Sequence, residues 1–427
     1  MRIEVSKEDS DYMYKMIQDI IDQCGPRMPC SPSEAKCAKI IESEFKQTCD
    51  DVTIEPFICQ PRAFLGFIKI ITILIIASLI LFLLTPLNLM LYWEQIILII
   101  IVILNIISIL ILWNEFFNYN EFIDPVFRKG QSQNVIGKVT ADEEVKRILI
   151  FSAHHDSALQ FNLLTYLKIG YIVIIVLGLF IMVFWSILSV ILLLISLAVL
   201  LSYTISIFYA IIFCLLILST PIMIGLFLFV PFGDKANKVP GAVDNLSAVA
   251  VILAFGKILK KNRKLIPPNT EVRLISFGCE EAGLRGAYRY VEKHLNELRI
   301  VDAECINMDA IQSNSKISII DYEPTTRTRH SDIVVKNLIK GAEIASLNIL
   351  KSGLGGSSKL EKVIGQLTGS TDATAFSKAG IKAASITAMD LKQMLKFYHQ
   401  PSDTPDKIEK GSLENILKLC IEYLKIK

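Results

Sequence analysis

Residues 147–156 read RILIFSAHHD, a run of mostly apolar residues that leads directly into two histidines and an aspartate. The apolar part predicts a buried β-strand. The same pattern recurs at Val272–Phe277, which is followed by Glu280 and Glu281, and at Glu304–Asp309, which ends in an acid. Because ligands bind beyond the carboxyl ends of the strands in open α/β sheets, these polar residues are expected at one edge of a common sheet.

The strands alternate with predicted helices along the chain. Ser31-Pro32-Ser33-Glu34 has the pattern of a capping box with proline in the first helical position, and it opens a helix that reaches about Thr48. Further strands are predicted at Val52–Ile58, Asn134–Val139 and Ala383–Thr387, and further helices after Asn245 and at Leu284–Leu298, Thr371–Lys378 and Leu413–Ile426. This alternation predicts an α/β fold with a mostly parallel central sheet and helices on both of its faces.

Other parts of the chain differ from this pattern in composition. The 427 residues are 52% hydrophobic and 20% charged, with a mean hydropathy of +0.48, whereas soluble domains average about 25% charged residues. No charged residue occurs from Ile70 to Trp93, from Gln95 to Asn114, or from Ile169 to Gly233. Because a membrane-spanning helix needs roughly 20 apolar residues, these runs predict an α-helical transmembrane region.

The apolar runs define the expected domain boundaries. Residues 63–115 are predicted to form a transmembrane hairpin, joined at Thr85-Pro86-Leu87-Asn88 or, as the lengths favour, around Glu94. Residues 163–232 are expected to form two long helices with a turn near Ser202-Tyr203-Thr204, although three or four shorter helices also fit the length. Residues 1–62 with 116–162 and 233–427 are expected to form one discontinuous domain, so each apolar run must leave and re-enter the same membrane face.

The positive charges predict how the chain is oriented in the membrane. The basic residues at the outer ends of the apolar runs are Arg62, Lys69, Arg128, Lys129, Lys168, Lys235 and Lys238. The hairpin loop has no lysine or arginine, so the positive-inside rule predicts a multi-pass membrane protein with its polar domain in the cytoplasm. The expected partners are therefore the lipid bilayer and a substrate. The balance of 44 basic and 42 acidic residues argues against a nucleic-acid partner, and the oligomeric state is left open.

Nine cysteines occur in the chain, five of them between Cys24 and Cys59. They lack the spacing that is typical of zinc fingers. In the cytoplasm they are expected to be reduced, structural thiols, whereas an inverted topology would favour disulfides.

The polar residues at the strand ends have ordinary explanations when each is taken alone. Asp244 precedes a helix, where an aspartate usually acts as an N-cap, and Glu280-Glu281 has the composition of a solvated surface. His399 alone is one loop histidine among five in the chain. Together, however, two histidines and three acids that converge on one sheet edge suit a pair of divalent metal ions with one bridging carboxylate.

The ordered set of motifs resembles the di-zinc exopeptidase family that includes leucyl-type aminopeptidases, glutamate carboxypeptidases and glutaminyl cyclases. The resemblance covers nearly all of the chain outside the apolar runs. It rests on CGPR at 24–27 with Ser31 and Glu34, NVIGKV at 134–139, SAHHDS at 152–157, PGAVDNLSAVA at 240–250, FGCEEAGLRGA at 277–287, INMDA at 306–310, STDATAFSKAGI at 370–381 and YHQPSDTPDKI at 398–408.

The resemblance implies the fold of the di-zinc aminopeptidases and a site that holds two zinc ions. The ligands that it implies are His154 and Asp309 on one zinc, Glu281 and His399 on the other, and Asp244 as the bridge between them. It further implies that Glu280 is the general base and that Asp156 orients His154.

Several residues near these motifs are given other roles. His155 stands where the family often has tyrosine, and Cys279 precedes the acidic pair; both are interpreted as structural, although Cys279 is close enough to be an oxidation or metal site. Tyr398 is expected to pack against its neighbours, with oxyanion stabilisation as the alternative. His294 and His330 are expected at the surface.

The predicted function is that of a membrane-anchored, zinc-dependent aminopeptidase that hydrolyses the N-terminal residues of peptides. A glutaminyl-cyclase-like aminoacyltransferase is the nearest alternative, and carboxypeptidase or dipeptidase specificity stays open because the loop Gly353–Ser358 cannot be placed. A non-catalytic scaffold for membrane proteins is a further alternative, against which the intact ligand set argues.

Overall fold

The computed structural model describes residues 4–87, 92–140, 144–198, 205–232, 237–350 and 369–427. The chain divides into two compact units. The first, called here the sheet unit, comprises Met1–Pro61, Arg128–Gln160 and Gly233–Lys427. The second, the helical unit, comprises Arg62–Phe127 and Phe161–Phe232.

The described strands of the sheet unit form one large sheet and a short ribbon. In chain order they are β1 Asp51–Cys59, β2 Gly130–Val139, β3 Arg147–His154, β4 Thr270–Phe277, β5 Asp302–Ile311, β6 Ile317–Ile320, β7 Tyr322–Glu323, β8 Thr328–Arg329, β9 Ile349–Leu350 and β10 Lys382–Ala388. Eight of them make the sheet, in the order β1-β2-β4-β3-β5-β10-β6-β9, and β7 pairs with β8. The predicted α/β fold is confirmed.

The centre of the sheet is parallel, and its margins are mixed. Strands β4, β3, β5 and β10 pair in parallel, whereas β1, β2 and β4 pair in antiparallel fashion, as do β10 and β6. Strands β3 and β4 are buried along almost their whole length. This explains why the sequence of β3 is a continuous apolar run rather than an alternation of apolar and polar residues.

The described helices, in chain order, are α1 Lys7–Cys24, α2 Pro32–Thr48, α3 Ala63–Phe82, α4 Trp93–Leu112, α5 Asn162–Leu167, α6 Gly170–Ala198, α7 Ile205–Phe227, α8 Ser247–Lys261, α9 Arg285–Ile300, α10 Asp332–Ile344, α11 Ala373–Lys378, α12 Leu391–Met394 and α13 Ser412–Ile426. Helices α3 to α7 belong to the helical unit and the others to the sheet unit. Helices α1 and α10 and strand β6 were not among the predicted elements.

Helix α2 begins where the sequence predicts, but the capping box is only half present. The Ser31 side chain accepts a hydrogen bond from the backbone N–H of Glu34. The Glu34 carboxylate, however, accepts hydrogen bonds from the backbone N–H groups of Cys30 and Cys279 and from the Ser132 hydroxyl instead of returning to Ser31. The prediction of a complete box was therefore wrong, because this glutamate is used to join α2 to two strands.

The helical unit contains the long apolar helices. Helix α3 ends at Phe82 and α4 begins at Trp93, with a short 3₁₀ turn at Thr85–Leu87 between them. The preferred position of this connection, around Glu94, was wrong: Glu94 lies in the first turn of α4, where a carboxylate is favoured by the helix dipole. The described part of the second apolar run contains two helices, α6 and α7; the predicted turn at 202–204 lies outside the described residues.

Among the described residues, four helical stretches are long and apolar enough to cross a membrane: Ala63–Leu87, Trp93–Phe117, Gly170–Ala198 and Ala242–Lys261. In the first three stretches, 28–39% of the most apolar 18-residue segment is buried. In Ala242–Lys261, 94% of that segment is buried. This last stretch contains α8, which packs in the core of the sheet unit. A buried core position accounts for its apolar composition, so we exclude it from the membrane region.

Polar side chains inside the helical unit bind one another. The Ser78 hydroxyl donates to Asn105, Asn105 donates to the Ser189 hydroxyl, and the Trp185 indole donates to Ser78, over distances of 2.8–3.1 Å. These groups are buried among apolar helices, where interhelical hydrogen bonds stabilise packing. The network joins α3, α4 and α6.

Candidate metal centre

Asp244 lies between two histidines at the carboxyl end of the central strands. Its Oδ1 is 3.2 Å from Nε2 of His154, and its Oδ2 is 3.3 Å from Nε2 of His399. The two oxygens of one carboxylate thus face different imidazoles. This arrangement suits a carboxylate that bridges two cations.

Each histidine has a further carboxylate beside it. Asp309 Oδ1 is 3.9 Å and Glu280 Oε2 is 3.8 Å from Nε2 of His154, and Glu281 Oε2 is 3.5 Å from Nε2 of His399. Ligands that surround a zinc ion tetrahedrally at 2.0–2.2 Å lie roughly 3.3–3.6 Å from one another. The spacings of 3.2–3.9 Å and the nitrogen and oxygen donors therefore fit zinc.

Asp156 connects His154 to the loop that carries the acidic pair. Its two carboxylate oxygens accept hydrogen bonds from the backbone N–H groups of Glu280 and Glu281, at 3.1 and 3.0 Å. Its Oδ1 also lies 3.4 Å from Nδ1 of His154, on the opposite side of the ring from Asp244. A single fully buried side chain thus faces one imidazole and holds the backbone of the two acids.

The segment around Asp244 is held from both sides. On one side, the Asn245 side chain donates to the carbonyl of Met308 and accepts from the N–H of Ala310, so it fixes the spacing to Asp309. On the other side, the Asp403 carboxylate accepts from the N–H groups of Val243 and Asp244. These contacts position the carboxylate of Asp244 independently of any bound ion.

Arg27 binds the two segments that flank the site. Its guanidinium, which is fully buried, donates to the backbone carbonyl oxygens of His155, Pro240 and Gly241 at 2.7–3.0 Å. The first of these lies beside His154, and the other two precede Asp244. Arg27 belongs to the CGPR motif at 24–27, and the sequence predicts no role for it.

The electrostatics of the site favour bound cations. Burial alone would raise the pKa of Asp244, but its contacts with the imidazoles of His154 and His399 outweigh burial and hold the pKa below its usual value. Burial and the neighbouring carboxylates raise the pKa values of Glu280 and Glu281 well above the usual range. Since buried carboxylates so close together repel one another, positive charge placed among them lowers the free energy of the site.

Asp372 is a residue that sequence reasoning missed. Its carboxylate is fully buried and has no hydrogen-bond partner among the described residues. It interacts electrostatically with His154 and Glu280. Its segment is held by Glu323, which accepts hydrogen bonds from the Thr371 N–H and hydroxyl and from the Thr374 hydroxyl. Asp372 lies in the STDATAF motif at 370–376. The signal in the sequence is an acid at the start of a helix that precedes the predicted strand β10.

His155, Tyr398 and His330 differ in their surroundings. His155 is buried, its Nδ1 lies 3.0 Å from the Ser276 hydroxyl, and burial lowers its pKa to about 4. The Tyr398 ring stacks on His399 with 3.9 Å between the ring centroids. The expectation that His330 lies at the surface was wrong: its side chain is buried and contacts Glu323 and Ser377.

Comparisons with known proteins point to a family of peptidases. Residues 229–424 match the model of peptidase family M28. Aminopeptidase YwaD of Bacillus subtilis is 30% identical over 184 residues, which cover 42% of this chain and 36% of that protein. The matched part thus spans about a third of the length of this curated relative.

Solved structures resemble the whole chain in fold. A glutaminyl cyclase of Fimbriiglobus ruber has a TM-score of 0.56 at 14% identity, covering 100% of this chain and 98% of that one. The zinc aminopeptidase BSAP of Bacillus subtilis has a TM-score of 0.53 at 17% identity, covering 97% and 93%. At these identities the likeness shows the fold alone. Over residues 229–424, the comparison agrees with the family that the sequence motifs resemble.

Replacing Arg27 tests how much its hydrogen bonds stabilise the protein and support the site. We expect Arg27→Met to lower the free energy of unfolding by about 3 kcal/mol, because several buried carbonyl oxygens lose their donor. We also expect it to weaken zinc binding by roughly 10- to 100-fold, the usual effect of removing a residue that supports metal ligands. Chemical denaturation and competition with a chelator measure the two effects.

Arg263 provides the matched control. It forms an ion pair with Asp50 in which both side chains are partly exposed, and such pairs contribute about 1 kcal/mol or less. Arg263→Met is expected to leave zinc affinity unchanged. Equal losses of zinc affinity in the two variants would show that Arg27 does not position the site.

Proposed function

We propose that this chain, whose residues 229–424 match the model of peptidase family M28, is a zinc-dependent aminopeptidase anchored in a membrane. The observation that carries the proposal is the position of Asp244, whose two oxygens face His154 and His399. Asp309 beside His154 and Glu281 beside His399 complete two sets of ligands. These five residues would hold two zinc ions, with Asp244 shared between them.

Zinc in such a site supplies a Lewis acid and lowers the pKa of a water molecule to about 7. Glu280 is the acid that we assign to proton transfer. Its carboxylate is largely buried near His154, while its backbone N–H is fixed by Asp156. In this role Glu280 accepts the proton of the attacking water and passes it to the leaving amine. Its raised pKa, caused by burial and the neighbouring Glu281, suits a group that must both accept and release a proton.

Glutaminyl cyclisation is a second candidate, because a glutaminyl cyclase is among the proteins of similar fold. In that reaction the α-amine of an N-terminal glutamine attacks its own side-chain amide and releases ammonia, with no water consumed. The complete set of five metal-binding side chains favours hydrolysis. An assay that offers both a leucyl peptide and a glutaminyl peptide separates the two activities.

We further propose that the helical unit spans the membrane and that the sheet unit lies in the cytoplasm. Three of its described helical stretches are long and apolar enough to cross a bilayer, and much of their surface is exposed hydrophobic side chain. The positive charges lie at the outer ends of the apolar runs, which by the positive-inside rule are the cytoplasmic ends.

Glu280→Gln tests the assigned base. We expect the rate of peptide hydrolysis to fall by roughly 10²- to 10⁴-fold, the usual contribution of general acid–base catalysis, while zinc content and thermal stability stay unchanged. Glu292→Gln is the matched control, since the Glu292 side chain is largely exposed on α9. If Glu280→Gln retained the activity of the control, the assigned role would be wrong. Zinc-loaded wild type that hydrolyses no peptide or amide would contradict the peptidase proposal itself.

The bridging position of Asp244 predicts how zinc is lost from variants. Elemental analysis of purified protein should show one zinc ion fewer per chain in His399→Ala than in wild type, and two fewer in Asp244→Asn. The reason is that each histidine serves one ion, whereas Asp244 serves both. His294→Ala, which alters a histidine that pairs with Glu55 and Glu297, should lose none. Equal zinc loss in the two site variants would exclude the shared carboxylate.

The topology is tested with protease and sealed membrane vesicles. In inside-out vesicles an added protease should digest the sheet unit, whereas in right-side-out vesicles digestion should require permeabilisation. An epitope inserted after Leu87, in the connection between α3 and α4, should show the opposite accessibility. Digestion of the sheet unit in intact right-side-out vesicles would invert the proposed orientation.

A further inference from the structure

Three cysteines from distant parts of the sequence meet in the sheet unit. Cys30 precedes α2, Cys59 is the last residue of β1, and Cys279 follows β4. Their sulfur atoms form a triangle with sides of 3.3, 3.4 and 3.5 Å. Cys59 and Cys279 are fully buried, whereas Cys30 is partly exposed.

The surrounding backbone holds the three thiols in place. The Glu34 carboxylate binds the backbone N–H groups of both Cys30 and Cys279. Gly130, which pairs with Cys59 across β1 and β2, lies so close to Cys30 that an added Cβ would stand 2.6 Å from the Cys30 Cβ and 2.9 Å from its sulfur. The Cys30 side chain thus occupies space that a larger residue at position 130 would fill.

The size of the triangle suits a metal ion better than a disulfide. Zinc–thiolate bonds are about 2.3 Å long, so an ion about 1.2 Å above the plane of the sulfurs would reach all three without moving them. A disulfide would require two sulfurs to approach from 3.3 Å to about 2.05 Å. Thiolates are soft ligands that prefer Zn²⁺ and Cu⁺ to hard cations.

We propose that Cys30, Cys59 and Cys279 form a three-thiolate site for a soft d¹⁰ cation, separate from the imidazole and carboxylate centre. On binding, each thiol transfers its proton to solvent, so Zn²⁺ with three thiolates carries a net charge of −1 and Cu⁺ a net charge of −2. Since Cys279 immediately precedes Glu280, the bound ion would tie the end of β1 to the loop that carries the acidic pair. The site does not depend on the peptidase activity.

Cadmium serves as the probe, because its thiolate complexes absorb in the ultraviolet whereas its complexes with imidazole and carboxylate do not show this charge-transfer band. The full-length, reduced protein in detergent is titrated with Cd²⁺. We expect a band that saturates at one ion per chain in wild type and is lost in the double variant Cys30→Ser, Cys59→Ser. Cys305→Ser, which removes a buried thiol of β5 near Ser152, should retain the full band. A parallel titration with Cu⁺ shows which of the two ions binds more tightly.

A second measurement keeps the proposal testable if the double variant fails to fold. Bound Cd²⁺ should slow alkylation of Cys30 at least about tenfold in wild-type protein, as measured by mass spectrometry of its peptide, while alkylation of Cys49 stays unchanged. Folded wild type without a thiolate band, or with a band that the double variant retains, would overturn the proposal. A disulfide between two of the three thiols, together with no band after its reduction, would overturn it in favour of a redox pair.

Discussion

The concentration of buried negative charge at one edge of the sheet is the constraint on which the rest of the structure depends. Asp156, Asp244 and Asp372 are almost fully buried, and Glu280, Glu281 and Asp309 adjoin them. Carboxylates held so close together and away from water repel one another and raise the free energy of the fold unless hydrogen bonds or cations compensate them. Part of the compensation is visible as backbone N–H groups that point at Asp156 and Asp403. The remaining negative charge faces His154 and His399, where the ligand spacings suit zinc.

The same constraint explains why the supporting residues are polar and buried. Arg27 and Glu34 each bind backbone groups from two segments that are far apart in sequence. Asn245 binds two backbone groups of one distant strand, β5. Directional contacts of this kind position the side chains of the site more specifically than apolar packing alone. The core around α8 then needs to supply little beyond hydrophobic burial, and its composition is accordingly apolar.

The sequence predicted the sheet, and it predicted that five polar side chains meet around Asp244, because both features depend on local patterns. An apolar run that ends in HHD or precedes a pair of glutamates combines a strand signal with residues of unusual chemistry, so each motif could be placed on an element. The partners that hold these motifs together could not be predicted in the same way. Nothing in the sequence around His330 indicates that Glu323 and Ser377 surround it, and nothing in the spacing of Cys30, Cys59 and Cys279 resembles a metal motif. Such contacts arise from the order of strands in the sheet, which neighbouring residues do not encode.

Part of the helical unit, residues 161–232, interrupts the chain between Asp156 and Asp244. Long insertions cost little loop entropy when the two ends of the insertion are held close together. Here Asn237 accepts a hydrogen bond from the N–H of Gln160 and donates to the carbonyl of Ala158, so the chain before the insertion is bound to the chain after it. Arg27 adds a second connection between the same two stretches, through the carbonyl oxygens of His155 and Gly241. The ends of the insertion are therefore closed within the sheet unit itself, and the geometry of the metal ligands need not depend on how the inserted helices pack. The chain can therefore contain a long helical insertion while the cited contacts that position the site all lie within the sheet unit.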